Sequence, residues 1–228
     1  TAVPTLTNDN TSDYSFFTTL EGSINYGGGC TSDNNTAVAD NNTITFSAMA
    51  EGTYSNCTLT VTSNFGIESD NLSISSFTID TIAPSLSQVT AVSSATNDST
   101  PDYTFSSSEA GTITYGGSCS SSTTAATASN NTVTFNSLSD GTYNDCTITV
   151  TDNATNPSST LSVNSFTVDT ITPTLSQVTA VPSPDNDSTP DYTFSSSEAG
   201  SISYGGDCSS ADNTSIAGNN TVTFNTLS

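Results

Sequence analysis

The sequence predicts an all-β protein built of tandem β-sandwich domains, on three observations. Cys30, Cys119 and Cys208 recur every 89 residues, and Cys57 and Cys146 recur at the same interval. Within each interval apolar residues alternate with Ser and Thr at period two, the pattern of half-buried strands. No stretch carries the 3.6-residue period of an amphipathic helix. Self-similarity at a long fixed period means a series of like structural units.

The repeat is in register along the whole chain. Residues 98–111 (DSTPDYTFSSSEAG) recur letter for letter at 187–200, and 86–92 (LSQVTAV) at 175–181. Between 90–139 and 179–228, 36 of 50 positions are identical. The first copy has diverged further but keeps Asp13-Tyr14, Tyr26-Gly27-Gly28, Cys30, Gly52-Thr53-Tyr54 and Cys57. Residues 77–84 (FTIDTIAP) and 166–173 (FTVDTITP) read as the end of one sandwich and the start of the next, since Pro is tolerated at the first residue of a strand. The expected domains are therefore 1–80, 81–169 and 170–228. The first is expected to lack its start and the third its C-terminal part, so that the chain is a window onto a longer array.

In the central copy, Leu86, Val89 and Val92 predict a first strand with an irregularity, because their spacing is three. Tyr103 with Phe105, Ile113 with Tyr115, and Val133 with Phe135 predict three further strands. Cys146, Ile148 and Val150 alternate with Thr147 and Thr149, which places the cysteine on the inward face. Leu161 with Val163 and Phe166 with Val168 close the unit, and Asn-Asp-Ser-Thr-Pro and Ser-Asp-Gly punctuate it as turns. Six or seven short strands in about 90 residues is the signature of an Ig-like sandwich. The stretch between Cys119 and Val133 varies most between copies and reads as a surface loop.

Charge narrows the function classes. The 228 residues include 22 acidic side chains and no Lys, Arg or His, for a net charge of −22. Nucleic-acid binding depends on Lys and Arg, as does attraction to anionic membranes, so neither partner is expected. No apolar run reaches the length of a membrane-spanning helix. High net charge with few large apolar residues is the composition of disordered chains, but regular apolar placement and fixed cysteine spacing argue for a folded array. With neither His nor Lys to activate a serine, catalysis is not expected.

The cysteines pair within copies, Cys30 with Cys57 and Cys119 with Cys146, each 27 residues apart. Cys208 then pairs with a cysteine outside the chain, and one disulfide per domain implies an oxidising compartment. With two thiolates per domain and no His, a zinc site has too few ligands.

The stretches Asn97–Phe105 (NDSTPDYTF), Glu109–Gly117 (EAGTITYGG), Gly141-Thr142-Tyr143, Thr149–Asp152 (TVTD) and Phe166–Thr170 (FTVDT) resemble the bacterial Ig-like repeats of large secreted surface proteins. Tyr143 stands three residues before Cys146, a departure from the two-residue spacing of the Ig tyrosine corner. The resemblance implies calcium at domain junctions, bound by linker and loop aspartates. The matching positions are Asp98, Asp102, Asp152 and Asp169, with Asp80, Asp187 and Asp191 in the neighbouring copies. Oxygen-rich loops suit a hard cation, although Asp and Asn also cap turns through their own hydrogen bonds. In the first copy Ser63 replaces Asp152.

The resemblance also implies an extracellular or cell-surface structural array, a stiff stalk or fibre of an adhesin or biofilm-type protein. Its expected partners are copies of itself, neighbouring repeats, and a host or matrix surface. A self-assembling filament or sheath is a second expectation, and a glycan-binding module a third. Asn-x-Ser/Thr sequons such as Asn97, Asn130 and Asn153 admit glycosylation.

Overall fold

The runs in which Thr and Ser alternate with apolar residues are extended, because successive side chains on a strand point to opposite faces and β-branched residues suit the pleated surface. A computed structural model describes residues 1–227. They fall into two units, Thr1–Asp169 and the residues from Thr170 onward.

The first unit holds two sandwiches, each with its own apolar cluster. The first has β1 (Leu6–Thr7), β2 (Asp13–Phe17), β3 (Gly22–Gly27), β4 (Thr36–Ala37), β5 (Asn41–Thr45), β6 (Gly52–Tyr54), β7 (Thr58–Ser63), β8 (Leu72–Ser73) and β9 (Phe77–Ile79). The second adds β10 (Leu86–Thr90), then β11 (Ala95–Thr96), β12 (Asp102–Ser107), β13 (Gly111–Gly116), β14 (Ala125–Ala126), β15 (Asn130–Thr134), β16 (Gly141–Tyr143), β17 (Thr147–Asp152), β18 (Leu161–Ser162) and β19 (Phe166–Val168). The second unit has β20 (Leu175–Thr179), β21 (Asp191–Ser196), β22 (Gly200–Ser201), β23 (Thr214–Ser215) and β24 (Gly218–Thr223).

In the second sandwich one sheet has the order β10-β12-β15 and the other β14-β13-β17-β18, with β11-β19-β16 as a third ribbon. Neighbours are seldom consecutive, so the chain crosses between sheets at most connections, an all-β Ig-like arrangement. The inward residues of all three meet in one cluster: Tyr103 and Phe105 from β12, Val133 from β15, Ile113 from β13, Ile148 and Val150 from β17, and Phe166 and Val168 from β19. The cluster is lined by an aromatic file. Tyr103 stacks on Phe135 at 6.3 Å, Phe135 on Phe166 at 6.3 Å, and Phe166 on Tyr143 at 5.3 Å. The first sandwich repeats the file with Tyr14, Phe46, Phe77 and Tyr54. Pairs of this kind add about 0.5–1.5 kcal/mol each beyond the area they bury.

The disulfides form as the spacing predicts. Cys119–Cys146 and Cys30–Cys57 bridge Cα atoms 5.2 and 5.3 Å apart, and all four cysteines are buried. Each ties the loop after one inner strand to the start of its hydrogen-bonded neighbour, β13 to β17 or β3 to β7. The approach is so close that only glycine fits beside it. A Cβ at Gly117, where φ is +73°, would lie 2.1 Å from the carbonyl oxygen of Asp145.

Three details test finer expectations. The irregularity in the first strand is a register shift between Gln88 and Thr90, which turns Val89 outward. The Tyr143 hydroxyl donates to the carbonyl of Ser139 at 2.8 Å, and Tyr54 to Ala50 at 3.0 Å, so the back-bond of a tyrosine corner forms despite the extra residue. The variable stretch after Cys119 is more ordered than a loop, since β14 pairs with β13. The side chain of Asn131 staples it, accepting from the Thr127 amide at 2.8 Å and donating to the carbonyls of Thr127 and Ser129. Asn42 and Asn220 make the same staple, so one residue holds a turn whose other residues change.

Closing a loop of this length restrains the unfolded chain by about 3–4 kcal/mol. The double substitution Cys119→Ser with Cys146→Ser is therefore expected to lower the opening free energy of amides in β12 and β17 by that amount in hydrogen exchange. Amides of β3 and β7 should change far less.

Candidate metal centre between the first two sandwiches

The first sandwich ends on β9, and its next residue, Asp80, opens a linker with no flexible spacer. Both sides hold that linker. The Asp80 amide donates to the carbonyl of Thr7 at 3.0 Å. The Thr81 amide donates to Glu51 at 2.8 Å, and its hydroxyl reaches the same carboxylate oxygen. From the second sandwich, Asn156 donates to the Asp80 carbonyl at 2.8 Å. Ser85 and Ser108 exchange two hydrogen bonds, of 2.9 and 3.0 Å. Asp80 and Thr81 are tied to the first sandwich, and Asp80 and Ser85 to the second, which leaves the connection little freedom to bend.

Two turns of the second sandwich bring further carboxylates to this linker. Glu109 sits in the turn between β12 and β13, and Asp152 ends β17 where that strand meets β13 at Gly111. One carboxylate oxygen from each of Asp80, Glu109 and Asp152 lies within 4.8 Å of the others. Asp152 is only 7 % exposed. Asn156 holds it, through its amide at 2.8 Å and its side chain at 2.9 Å, while the same side chain reaches across to Asp80. The loop between them is strained, because Thr155 has φ +74°, a region a β-branched residue seldom enters. Its counterpart in the first copy is Gly66, at φ +75°.

The electrostatics follow from the crowding. Partial burial, then the charges of Asp80, Asp152 and Glu51, raise the Glu109 carboxyl from its ordinary value. No Lys, Arg or His exists to offset them. An all-oxygen, all-anionic set is the donor chemistry of a hard cation such as calcium, with water completing its six to eight ligands.

The structure gathers Asp80 and Asp152 of the seven expected aspartates and leaves the others elsewhere. Asp98 and Asp187 cap turns, accepting from the amides of Thr100 and Thr189, each at 2.8 Å. Asp102 and Asp191 accept from the cross-strand hydroxyls of Thr134 and Thr223 at 2.5 and 2.6 Å. Asp102 begins β12, at the opposite end from Glu109. Asp169 follows β19, and its amide donates to the Thr96 carbonyl at 3.0 Å. Cys208, whose expected partner lies outside the chain, forms no disulfide among the described residues.

Glu109 was not among the expected ligands, although the repeat carried a signal for it. Positions 109, 152 and 156 of the second copy correspond to Leu20, Ser63 and Ile67 of the first. The first copy carries none of these three side chains, and its nearest carboxylate there is Glu21. The pole it presents instead is apolar, with Leu20, Phe65 and Ile67 exposed by 54 %, 87 % and 68 %.

A carboxyl whose folded value is raised binds its proton more tightly folded than unfolded. It therefore adds stability as pH falls through that raised value, and the gain is lost again as pH rises. In a chelator, Glu109→Gln is expected to raise the thermal midpoint near neutral pH. That advantage should shrink as the pH falls to about 4.5, near the ordinary glutamate value. An advantage independent of pH would show that repulsion on Glu109 is not its source.

No protein-family model matches the chain, and no curated protein matches it. Among solved structures it is similar to one described as "Structures of Clostridium thermocellum CbhA fibronectin(III)-like modules". Identity is 10 % over 73 % of this chain and 90 % of that one, with a TM-score of 0.36. The sandwich assignment rests on the strand order and register given above.

Proposed function

We propose that this chain is a structural segment of an extracellular array, a stiff stalk or fibre of an adhesin or biofilm-type surface protein, with calcium at the Asp80–Glu109–Asp152 junction. The observation that carries this reading is the linker itself, anchored to both sandwiches and flanked by three converging carboxylates. A cation there would join Asp80 of one sandwich to Glu109 and Asp152 of the next, and so resist bending at the joint. Two disulfides suit an oxidising exterior, and no helix among the described residues is long and apolar enough to cross a membrane. The acidic surface keeps neighbouring arrays apart unless divalent ions bridge them. The chain's role is mechanical, and it performs no reaction of its own.

Thermal unfolding of the full chain with calcium and with a chelator tests this reading. Calcium at about a hundred times its dissociation constant adds about 2.7 kcal/mol, a shift on the order of 5–10 °C for a chain of this length. Glu109→Gln, which helps in a chelator, should abolish most of that shift. Magnesium should substitute poorly, because it requires a smaller octahedral shell and sheds water reluctantly. An unchanged midpoint in chelator and in calcium would sink the metal assignment.

A further inference from the structure

Eleven Asn-x-Ser/Thr sequons lie along the chain, and a sequence rich in Asn, Ser and Thr produces many of them by chance. One alone recurs in every copy at the 89-residue interval, Asn-Asn-Thr at 41–43, 130–132 and 219–221. Asn97 and Asn186 also correspond, but the first copy has Asn8-Asp9-Asn10 in their place, which is no sequon. The recurring triplet follows a turn whose residues change between copies. Val38, Thr127 and Ile216 open that turn, and Asp40, Ser129 and Gly218 close it.

Two residues of the triplet have tasks in the fold. Asn42, Asn131 and Asn220 staple the turn through their side chains. Thr43, Thr132 and Thr221 share a hydroxyl hydrogen bond with Ser15, Thr104 and Thr193 across the strand pair, at 2.8–2.9 Å. The leading asparagine has no such task. Asn41, Asn130 and Asn219 are exposed, and their side chains make no hydrogen bond among the described residues. Asparagine is also disfavoured in strands, yet it begins β5 and β15 and recurs at the same place in β24. A residue kept three times without a structural partner, beside neighbours that change, is kept for the chemistry of its amide. Strand alternation puts that amide and the threonine two residues on at the same outward face, so both groups that define a sequon are presented together.

We propose that Asn41, Asn130 and Asn219 are N-glycosylation sites, one oligosaccharide to each repeat. The side-chain amide nitrogen attacks the anomeric carbon of an oligosaccharide carried on a lipid pyrophosphate. A C–N bond forms as the C–O bond to phosphate breaks, a base of the transferase takes the amide proton, and the lipid pyrophosphate leaves. The position gives the glycan a role. β5 and β15 are end strands of their sheets, in the orders β2-β5 and β10-β12-β15. Open edges invite pairing with other chains and are commonly blunted by Lys, which this chain lacks. A bulky, solubilising sugar on the first residue of the edge strand blocks that pairing instead. The proposal rests on the extracellular reading above and is independent of calcium at the Asp80 junction.

Mass spectrometry of the natively secreted full chain tests this, after digestion at Asp and aromatic residues, since trypsin has no Lys or Arg to cut. Enzymatic release of the glycan in heavy-oxygen water turns each glycosylated asparagine into a labelled aspartate. Label is expected on Asn41, Asn130 and Asn219, with little on the other sequons. Thr132→Ala should lose the label at Asn130 alone, and Thr132→Ser should keep it, a response that a structural role for the asparagine does not predict. The combined Asn41→Gln, Asn130→Gln and Asn219→Gln variant should lose all three labels and self-associate at concentrations where the native chain is monomeric. Unlabelled asparagines at the three positions in secreted chain would overturn the proposal, as would label spread evenly over all the sequons. A monomeric triple variant would overturn the edge-blocking role, and a chain retained inside the cell would sink the extracellular reading together with the glycans.

Discussion

No carboxylate of this chain can be neutralised by one of its own side chains, for it has 22 acids and neither Lys, Arg nor His. That constraint governs how the fold treats charge. Six aspartates meet a neutral donor, a Thr hydroxyl across the strand pair for Asp13, Asp102 and Asp191, or a turn amide for Asp9, Asp98 and Asp187. Such bonds suit exposed acids, which water also solvates. They do not suffice where several acids converge, and the linker between the first two sandwiches is where they converge. Three carboxylates brought together there have no cationic side chain to offset them.

The same constraint shifts cohesion onto other interactions. With no ion pairs available, each sandwich relies on one apolar cluster, one file of stacked aromatic rings and one disulfide. The outward faces add hydroxyl pairs such as Thr104–Thr132, Thr53–Thr78 and Thr142–Thr167, each bridging two strands at 2.8–3.0 Å. The sandwich is cooperative across its sheets because the aromatic file crosses from β12 through β15 to β19 and β16.

The inner face diverges least between copies. The inner face of the first copy keeps the types of the second, with Tyr14, Ile44, Phe46, Leu59, Val61 and Phe77 at the equivalent places. Its pole has instead exchanged Glu109, Asp152 and Asn156 for Leu20, Ser63 and Ile67. Core positions are bound by packing density, where a change of one methylene is felt. A pole answers only to whatever it meets, so joints can be altered one at a time without disturbing the units they join.

The sequence by itself determined the repeat, the longer strands with most of their inward residues, and both disulfides, because period two and an 89-residue spacing are local or strictly periodic signals, while the two- and three-residue strands β11, β14 and β16 are too short to carry a period. It also placed Asp80 and Asp152 among the aspartates of interest. Only the tertiary structure decided which acids meet. Asp80 lies in the linker, Glu109 in a turn and Asp152 at the end of β17, and their approach depends on the angle at which one sandwich follows another, which no strand pattern encodes. The fate of Asp98 and Asp102 was hidden for the same reason, since a turn cap and a metal ligand are written with the same residue. The tyrosine back-bond to Ser139 likewise depended on the path of the turn before β16, which one residue of sequence spacing does not settle.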